Sequence, residues 1–338
     1  MNHNDKMNGV QFEKNTTAIM GFVDTVNIWT QSQESERKFD YYHPSAFGKC
    51  LRQMQYQRYA SMGLIEMSHV VFDARMLRLF GKGHNMHDRW VKYFQQAGVL
   101  RGYWKCKNPV CKMYDDKGLY TGDDSLFEEL IATNDSRIYG LNEKLGVFEP
   151  DKCVCGCKRF EYLELVVESK ELNMKGHADI VLDFSKFDVS KFGEISLLFD
   201  VNNLPTGQVV VDMKTANDWR FKSLSRSGPS LDYRIQLTIY ANLLDCDYGL
   251  LIYENKNTSH TSAFSIQKNE DTVFAEIKQQ ALRMNEMVPH HLLPPPRPLT
   301  KDSYECKQCP FSALCHKKDI WTDVELTSKR TKFYGSLL

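Results

Sequence analysis

The chain has 338 residues, of which 42% are hydrophobic and 25% are charged, values typical of a globular protein. The 43 Lys and Arg residues balance the 43 Asp and Glu residues, so the formal net charge of zero excludes recognition of nucleic acid by a field of the whole molecule. Any contact with DNA must therefore come from a local basic surface.

The sequence contains no apolar run of 18 residues, and its first residues lack the pattern of a signal peptide. We therefore expect no membrane partner and a cytoplasmic, reducing location. In such a location the ten cysteines are expected to bind metals rather than to form disulfides. Nine of them fall into two groups with metal-like spacing, and the remaining one, Cys246, is expected to be a small core residue.

Three segments with different patterns come first along the chain. Residues 1–40 are a polar N-terminal extension with one predicted helix, Thr17–Gln31. Residues 41–102 are predicted to be helical, because apolar residues recur there at steps of three and four. In residues 103–158, cysteines bracket a stretch rich in Asp, Asn and Gly, which predicts an inserted module like a zinc ribbon.

Strand signals dominate the predicted core, residues 159–300, and a cysteine-rich segment and tail, residues 301–338, follow it. The expected strands are Phe160–Glu168, His177–Phe184, Gln208–Met213 and Tyr248–Tyr253. The expected helices are Leu231–Leu244 and Thr272–Met287, the second ended by the proline run Pro294–Pro298. Helices that flank a mixed central sheet predict an α/β (α+β) fold.

The strongest local signal lies at the end of the strand predicted at Gln208–Met213. Three valines lead into Asp212, Met213 and Lys214. Residues two apart on a strand point the same way, so Asp212 and Lys214 are expected to project together. A carboxylate there can hold a divalent cation, and a lysine can orient water or stabilise charge that develops on a phosphate. A solvated strand end is the alternative for this pair taken alone.

Three further pairs of residues accompany it in a definite order. They are Gly83-x-x-x-His87, Gly176-x-x-Asp179 and Gln236-x-x-x-Tyr240. Together with Asp212-x-Lys214, this series resembles the motifs of the RecB-family PD-(D/E)XK nucleases over about residues 83–240. The resemblance implies a restriction-endonuclease-like nuclease core at residues 159–300, with a mixed central sheet flanked by helices.

The resemblance also implies roles. The residues expected to bind Mg²⁺ or Mn²⁺ are His87, Asp179, Asp212 and, through its backbone carbonyl, Met213. The residues expected to act in catalysis are Asp179, Asp212, Lys214, Gln236 and Tyr240. Lys214 would position the attacking water, while Gln236 and Tyr240 would hold the lysine end of the site or the DNA backbone. Oxygen ligands with one imidazole suit either cation, and Mn²⁺ tolerates histidine better.

Each assignment has an alternative. His84 competes with His87 as the ligand, and Asp179 is alternatively a turn acid that caps its strand. Gln236 and Tyr240 alternatively pack a helix against the sheet. Glu168 ends its predicted strand and is expected to be structural rather than a metal ligand.

The C-terminal cysteines have the spacing Cys306-x2-Cys309-x5-Cys315, one thiolate short of a closed site. The partner we choose is Cys50, within Ser45-x4-Cys50-x-Arg52-Gln53. This pattern resembles the iron–sulfur nucleases of the CRISPR-associated and AddB kinds, which implies a 4Fe–4S cluster with a mainly structural role. A structural zinc is the alternative.

The second cysteine group lies in the insert. Four residues separate Cys106 from Cys111, and Cys153, Cys155 and Cys157 follow about forty residues later. Pairs separated by a loop are typical of a zinc ribbon, although five cysteines compete for four ligand positions. Cys106 and Cys111 are expected ligands, and two of the later three join them. Stabilisation of the insert is the expected role.

Basic and aromatic residues alternate after the Asp-x-Lys motif. The candidates for DNA contact are Trp219, Arg220, Lys222, Arg226 and Arg234. In proteins that bind single-stranded nucleic acid, cationic side chains contact the phosphates and aromatic side chains stack on the bases. The alternative for this segment is a solvated loop without a binding role.

These patterns predict a deoxyribonuclease, with an exonuclease that acts on single strands or ends favoured over an endonuclease. Recombination, repair and replication are the expected settings. No Gly-x4-Gly-Lys-[Ser/Thr] motif is present, so strand separation is expected from a partner helicase or recombination protein. The alternatives are a non-catalytic DNA-binding or scaffolding protein with the same fold, and a metal-containing protein that binds partners.

Overall fold

The structure is a computed structural model that describes residues 18–31, 39–67, 72–108, 138–153, 155–198, 203–268, 270–295 and 302–316. The chain divides into two compact units. One comprises Met1–Arg37 and His69–Asp88, and the other comprises Lys38–Ser68 and Arg89–Leu338.

The smaller unit is helical. Residues 18–31 form helix α1, in agreement with the prediction, and α3 (Ala74–Ala97) begins in the same unit. The Asp73 carboxylate accepts a hydrogen bond from the Met76 N–H at 2.7 Å and so caps the start of α3. An ion pair between Asp24 and Arg78 links the two helices.

The larger unit contains an eight-stranded mixed sheet. Its strands are β1 (Leu100–Cys106), β2 (Ile138–Tyr139), β3 (Val147–Phe148), β4 (Phe160–Leu163), β7 (Ile180–Asp183), β8 (Gln208–Ala216), β9 (Tyr248–Asn255) and β10 (Thr261–Gln267). The order is β10-β9-β8-β7-β1-β2, with β3 and β4 also paired to β1. Only the β8–β9 pair is parallel among these described pairings. A mixed central sheet with flanking helices confirms the α/β class.

A two-stranded antiparallel sheet lies beside the large one. It consists of β5 (Leu165–Ser169) and β6 (Met174–Ala178). The sequence predicted single strands at Phe160–Glu168 and His177–Phe184, but each is broken, between β4 and β5 and between β6 and β7. Apolar residues flank the single acidic residue at each break, Glu164 and Asp179, so a pattern of residues alone did not show where the strands change partners.

The helices of the larger unit cover the sheet. They are α2 (Leu51–Ser61), α4 (Asp218–Ser227), α5 (Leu231–Leu244), α6 (Ala275–Met287), α7 (Tyr304–Gln308) and α8 (Ser312–Cys315). Helix α5 is the central one, because most of its residues are buried. It lies close to β9: a Cβ on Gly249 would come 2.4 Å from Leu237 Cγ. None of the described helices is long and apolar enough to cross a membrane.

Cys246 follows α5 and belongs to the main hydrophobic core with no exposed surface, as predicted. The segment after β8, which the sequence left open as a solvated loop, is instead helix α4. The Asn217 side chain accepts a hydrogen bond from the Arg220 N–H at 2.8 Å, which caps this helix. The cap residue was the available signal for a helix start.

Candidate active site and thiol centres

Strand β8 supplies a paired acid and base. It is buried along most of its length, and the side chain of Asp212 is 3% exposed, whereas that of Lys214 is 22% exposed. Lys214 Nζ donates a hydrogen bond to Asp212 Oδ1 at 2.9 Å. Burial lowers the pKa of Lys214, but the charge and hydrogen bond of Asp212, together with the charge of Asp179, outweigh it, so the pKa lies above its ordinary value. Lys214 is therefore an ammonium at neutral pH.

Asp179 lies at the break between β6 and β7, next to this pair. The antiparallel β7–β8 register joins Ile180 to Val211, so its next step sets Asp179 opposite Asp212. The charge of Asp179 also contributes to the raised pKa of Lys214. The Tyr162 hydroxyl donates a hydrogen bond to the Asp179 carbonyl oxygen at 2.9 Å, which holds the backbone at the break.

Gln236 and Tyr240 approach the acids from α5. Both are buried, with relative exposures of 8% and 6%. Burial raises the pKa of Tyr240, and the charges of Asp179 and Asp212 raise it further. A Cβ on Gly176 would lie 3.0 Å from Tyr240 Oη, so the glycine of the Gly-x-x-Asp motif leaves room for the phenol.

Tyr233 is a site residue that the sequence analysis missed. It lies one turn before Gln236 on α5, and Lys214 Nζ is 4.7 Å from the centre of its ring. A cation over an aromatic face is attracted by the ring quadrupole. The spacing of three residues from Gln236 was the available signal, because it places both side chains on one face.

Glu164 is a second missed residue. The β5–β6 register joins Leu165 to Ala178, so the next step sets Glu164 opposite Asp179. Its charge contributes to the raised pKa of Tyr240. Glu168, considered from the sequence, lies further along β5 opposite Lys175, as expected of a structural residue.

His87 and His84 lie on the part of α3 that belongs to the smaller unit. His87 is half-buried and His84 is exposed. The choice of His87 as a metal ligand stays a prediction. The second part of α3 is tied to β9 within the larger unit, where Arg89 and Trp90 donate hydrogen bonds to the Glu254 carboxylate.

Two carboxylates with an ammonium beside them are thus brought together at one place on the sheet. Carboxylate oxygens are the ligands that Mg²⁺ and Mn²⁺ prefer, and Met213, between Asp212 and Lys214, is 1% exposed. The arrangement has the chemistry to bind a hard divalent cation and to place a positive charge next to it.

Four cysteines line one cavity of about 440 Å³. They are Cys50, before α2, and Cys306, Cys309 and Cys315 on the C-terminal segment. Burial raises the pKa of the Cys309 thiol to about 11, and the other three thiols add to this. Within the described residues no three of these sulfurs lie within 4.8 Å of one another. Sulfur atoms around one tetrahedral zinc would be about 3.8 Å apart, given Zn–S bonds of about 2.3 Å.

A second thiol group is tighter and could bind a metal. Cys106, Cys153 and Cys155 each offer a sulfur within 4.8 Å of the others. The sulfurs of Cys106 and Cys155 are 3.7 Å apart. Burial raises the pKa of Cys106, and hydrogen bonding with Cys153, Cys155 and Cys157 raises it further. Cys111 lies outside the described residues.

The candidates for DNA contact occupy α4 and the start of α5. Trp219 is 78% exposed, and Arg226 and Arg234 are exposed. Arg220 instead turns back on its own helix, where its guanidinium donates to Ser227 Oγ at 3.1 Å and to the Gly228 carbonyl. Lys222 pairs with Asp218 one turn away. Arg220 and Lys222 thus have partners on their own helix, although the side chain of Lys222 is still 75% exposed.

No protein-family model matches the chain, and no curated protein sequence matches it either. Among solved structures it is similar to the protein of "Crystal structure of SSO0001", with a TM-score of 0.39 and 12% identity, over 88% of this chain and 96% of that chain. A similarity of this size carries no argument about family or function. Functional inference therefore depends on the geometry of the site.

Proposed function

We propose that this chain is a metal-dependent deoxyribonuclease of the PD-(D/E)XK type. The observation that supports this most is the meeting of Asp179, at the break between β6 and β7, with Asp212 and Lys214 of β8. Burial of an acid and a base is costly unless they are paired. A binding module has no use for these charges, which favours catalysis over a purely DNA-binding role.

The proposed mechanism assigns Asp179 and Asp212 to bind Mg²⁺ or Mn²⁺, with the Met213 carbonyl as a further ligand. When bound, the cation activates a water molecule and neutralises charge on the phosphate. Lys214 remains protonated because Asp212 and Asp179 stabilise its ammonium. It orients the attacking water and offsets negative charge at the phosphorus in the transition state.

The buried Tyr240 and Gln236 complete the proposed site from the side of α5. The phenol stays protonated at neutral pH because burial raises its pKa, so its O–H can donate to a phosphate oxygen. Gln236 hydrogen-bonds the Tyr240 side chain and holds it in place. Both residues position groups rather than transfer protons.

The proposal includes a 4Fe–4S cluster held by Cys50, Cys306, Cys309 and Cys315. The spread of the four sulfurs suits a polynuclear group better than a single ion. Burial raises the pKa of the Cys315 thiol, and the charge of Arg52, which is 1% exposed, partly offsets this effect. The cluster would join the start of α2 to the C-terminal segment, and its role is structural.

The proposed substrate is single-stranded DNA or a DNA end, with Trp219 available to stack on a base and Arg226 and Arg234 available to phosphates. The chain has no nucleotide-hydrolysis motif for unwinding, so a helicase or recombination protein would supply single strands in repair, recombination or replication.

Digestion of end-labelled single-stranded DNA with Mg²⁺ or Mn²⁺ tests the proposal. We expect Asp212→Asn and Lys214→Ala each to lower the rate about 100-fold or more, measured well below the thermal midpoint of each variant because loss of one partner of this buried pair also lowers stability. Asp245→Asn is the matched control, because Asp245 is an exposed residue with φ 64°, a conformation that asparagine adopts well. Equal rates for wild type and the two site variants would exclude the nuclease.

Exonuclease and endonuclease activity are separated by substrate topology. We expect linear single strands to be digested from an end and circular single strands to resist. Blocking groups at the 5′ or the 3′ end then report the polarity. Cleavage of circles at the rate of linear strands would contradict the exonuclease assignment but would leave the nuclease assignment intact.

A further inference from the structure

We propose that Cys106, Cys153, Cys155 and Cys157 hold one Zn²⁺ ion in a closed tetrahedral site, and that Cys111 is not a ligand. The separation of 3.7 Å between the sulfurs of Cys106 and Cys155 matches the value of about 3.8 Å expected for two thiolates on one zinc ion. The sulfur of Cys153 lies within 4.8 Å of both. Three ligand positions are thereby filled from the described residues.

The fourth position belongs to Cys157 because of the turn that contains it. The Gly156 N–H donates to the Cys153 carbonyl at 2.8 Å, and the Cys153 N–H donates to the Cys157 carbonyl at 2.8 Å. These bonds bring Cys153 and Cys157 back towards each other, with Gly156 at φ 87°. The Cys157 thiol thereby neighbours the Cys106 thiol, although its sulfur lies outside the group of three that are all within 4.8 Å of one another.

Backbone and amide groups surround the sulfurs as expected for thiolates. The Asn108 N–H lies 3.5 Å from Cys106 Sγ, and its side-chain amide lies 3.5 Å from Cys155 Sγ. The Arg159 N–H lies 3.4 Å from Cys157 Sγ. Donors of this kind stabilise negative sulfur and orient metal ligands. Three of the four thiols thus have at least one N–H donor.

Zinc is the metal that these ligands favour. Thiolates are soft ligands, and a compact tetrahedral set of four selects Zn²⁺ over the hard cations of the proposed active site. Four protein ligands leave no open position for water or substrate, so the site is structural. Its position fits that role, because Cys106 ends β1, where it pairs with Phe160 of β4. The ion would join the end of β1 to the turn at residues 153–157 and close the insert.

Thiol alkylation of the full-length wild-type protein, followed by peptide mapping, tests the ligand set without any substitution. Cys155 is exposed and Cys157 is half-buried, so neither is protected by burial alone. We expect both to resist iodoacetamide until a chelator removes the metal, whereas Cys111 reacts at once. Immediate labelling of Cys155 and Cys157, or protection of Cys111 that a chelator abolishes, would overturn the proposal.

Metal content measured by mass spectrometry provides the second test. We expect one zinc ion per chain in wild type and in Cys111→Ser. In Cys157→Ser we expect most or all of the zinc to be lost. Replacement by Co²⁺ should give the intense visible bands of tetrahedral thiolate coordination in wild type and in Cys111→Ser alike. Cys306→Ser should lower iron and leave zinc unchanged, which keeps this result separate from the nuclease proposal. Retention of zinc in Cys157→Ser with its loss in Cys111→Ser would reverse the ligand assignment.

Discussion

Three neighbours favour the protonated state of the Lys214 side chain. Asp212 accepts a hydrogen bond from the ammonium, Asp179 adds a second negative charge, and the ring of Tyr233 lies 4.7 Å away. Together they raise the pKa of Lys214 although burial lowers it. A residue that must remain cationic in a partly buried place needs such partners.

Tyr233→Leu should therefore weaken catalysis through Lys214. Loss of the ring removes about 0.5–2 kcal/mol of cation–π attraction, a rate loss of roughly 2- to 30-fold. The ring favours the protonated amine, so its removal lowers the pKa of Lys214 and moves the alkaline limb of the kcat/KM profile to lower pH. Tyr233→Phe keeps the ring and is the control. A Leu variant with an unshifted alkaline limb would show that Tyr233 only packs α5.

Gly176→Ala should disturb the same site from the other side. The added methyl would lie 2.9 Å from Pro44 Cδ and 3.0 Å from Tyr240 Oη. Overpacking of this kind costs about 1–3 kcal/mol of stability, and displacement of Tyr240 should lower the nuclease rate as well. Gly81→Ala on α3 meets nothing within 4 Å and should leave both quantities almost unchanged or raise the thermal midpoint. The thermal midpoints and nuclease rates of the two variants, measured together, test both expectations.

At the scale of elements, a buried ion pair holds three strands of the sheet in register. Asp183 ends β7, where its carboxylate accepts from Arg101 of β1 at 3.1 Å and from Gln208 of β8 at 3.2 Å. Burial raises the pKa of Asp183, but hydrogen bonds from Ser185, Gln208 and Arg101 outweigh it, so the pKa lies below its ordinary value. The pair therefore contributes stability above about pH 4, the unfolded pKa, and loses it as the pH falls through the folded pKa.

Asp183→Asn should lower the free energy of unfolding at pH 7 by about 3 kcal/mol, because Arg101 is left without its counter-charge. The difference from wild type should shrink as the pH falls below about 4, because the wild-type carboxylate is then protonated in the unfolded chain, and it should be smallest below the folded pKa, where the folded carboxylate is neutral too. Urea unfolding at pH 7 and pH 3 measures both. A difference that stays constant between the two pH values would show that the charge of Asp183 is unimportant.

Helix α4 presents its most exposed side chain, Trp219, beside the end of β8. Trp219→Ala should weaken binding of labelled single-stranded DNA about tenfold, since stacking of one base contributes about 1–3 kcal/mol. Fluorescence anisotropy in the presence of a chelator measures binding without digestion. Trp29→Ala removes a tryptophan of similar exposure, 61%, in the smaller unit and is the matched control. Equal losses of DNA affinity in both variants would contradict a specific role of α4 in DNA binding.

The elements differ in how far the sequence determines them. Helix α5 and strands β8 and β9 were predictable, because their apolar residues follow a single period that burial enforces. The breaks at Glu164 and Asp179 were not, because the residues on both sides are apolar and each half pairs with a different strand. Tyr233 was missed for a related reason: an aromatic residue on a helix face is most often core, and only the position of Lys214 gives it another role.

At the scale of the whole molecule, two groups of cysteines connect distant parts of the chain. Spacing grouped Cys306, Cys309 and Cys315, and the family resemblance added Cys50; all four line one cavity. In the second group spacing favoured Cys111 as a ligand and left the choice among Cys153, Cys155 and Cys157 open, whereas the proposed site uses all three of these and omits Cys111. Stacked rings of Tyr56 and Phe311, with centroids 5.2 Å apart, add an apolar link between α2 and the C-terminal segment.

Protein purified without oxygen should be brown and should contain iron, because the proposed cluster absorbs visible light. Cys50→Ser should remove most of this iron, since the cluster loses one of its four cysteine ligands. The same variant should increase the rate at which protease releases the C-terminal segment. Cys111→Ser is the control, with unchanged iron and unchanged cleavage. A colourless anaerobic preparation that contains only zinc would replace the cluster by a structural zinc ion in the same cavity.

The breaks that place Glu164 and Asp179 opposite each other have a consequence for how the chain tolerates insertions. A slip of one residue within β5 or β6 would turn every side chain beyond it to the other face, and Asp179 would then point away from β8. An extra residue in the reversal at 170–173, outside both strands, leaves their pairing unchanged. Length variation at the tip of this hairpin should therefore leave the chemistry intact but lower stability, because Leu172 is buried there, whereas within the arms it should abolish the chemistry.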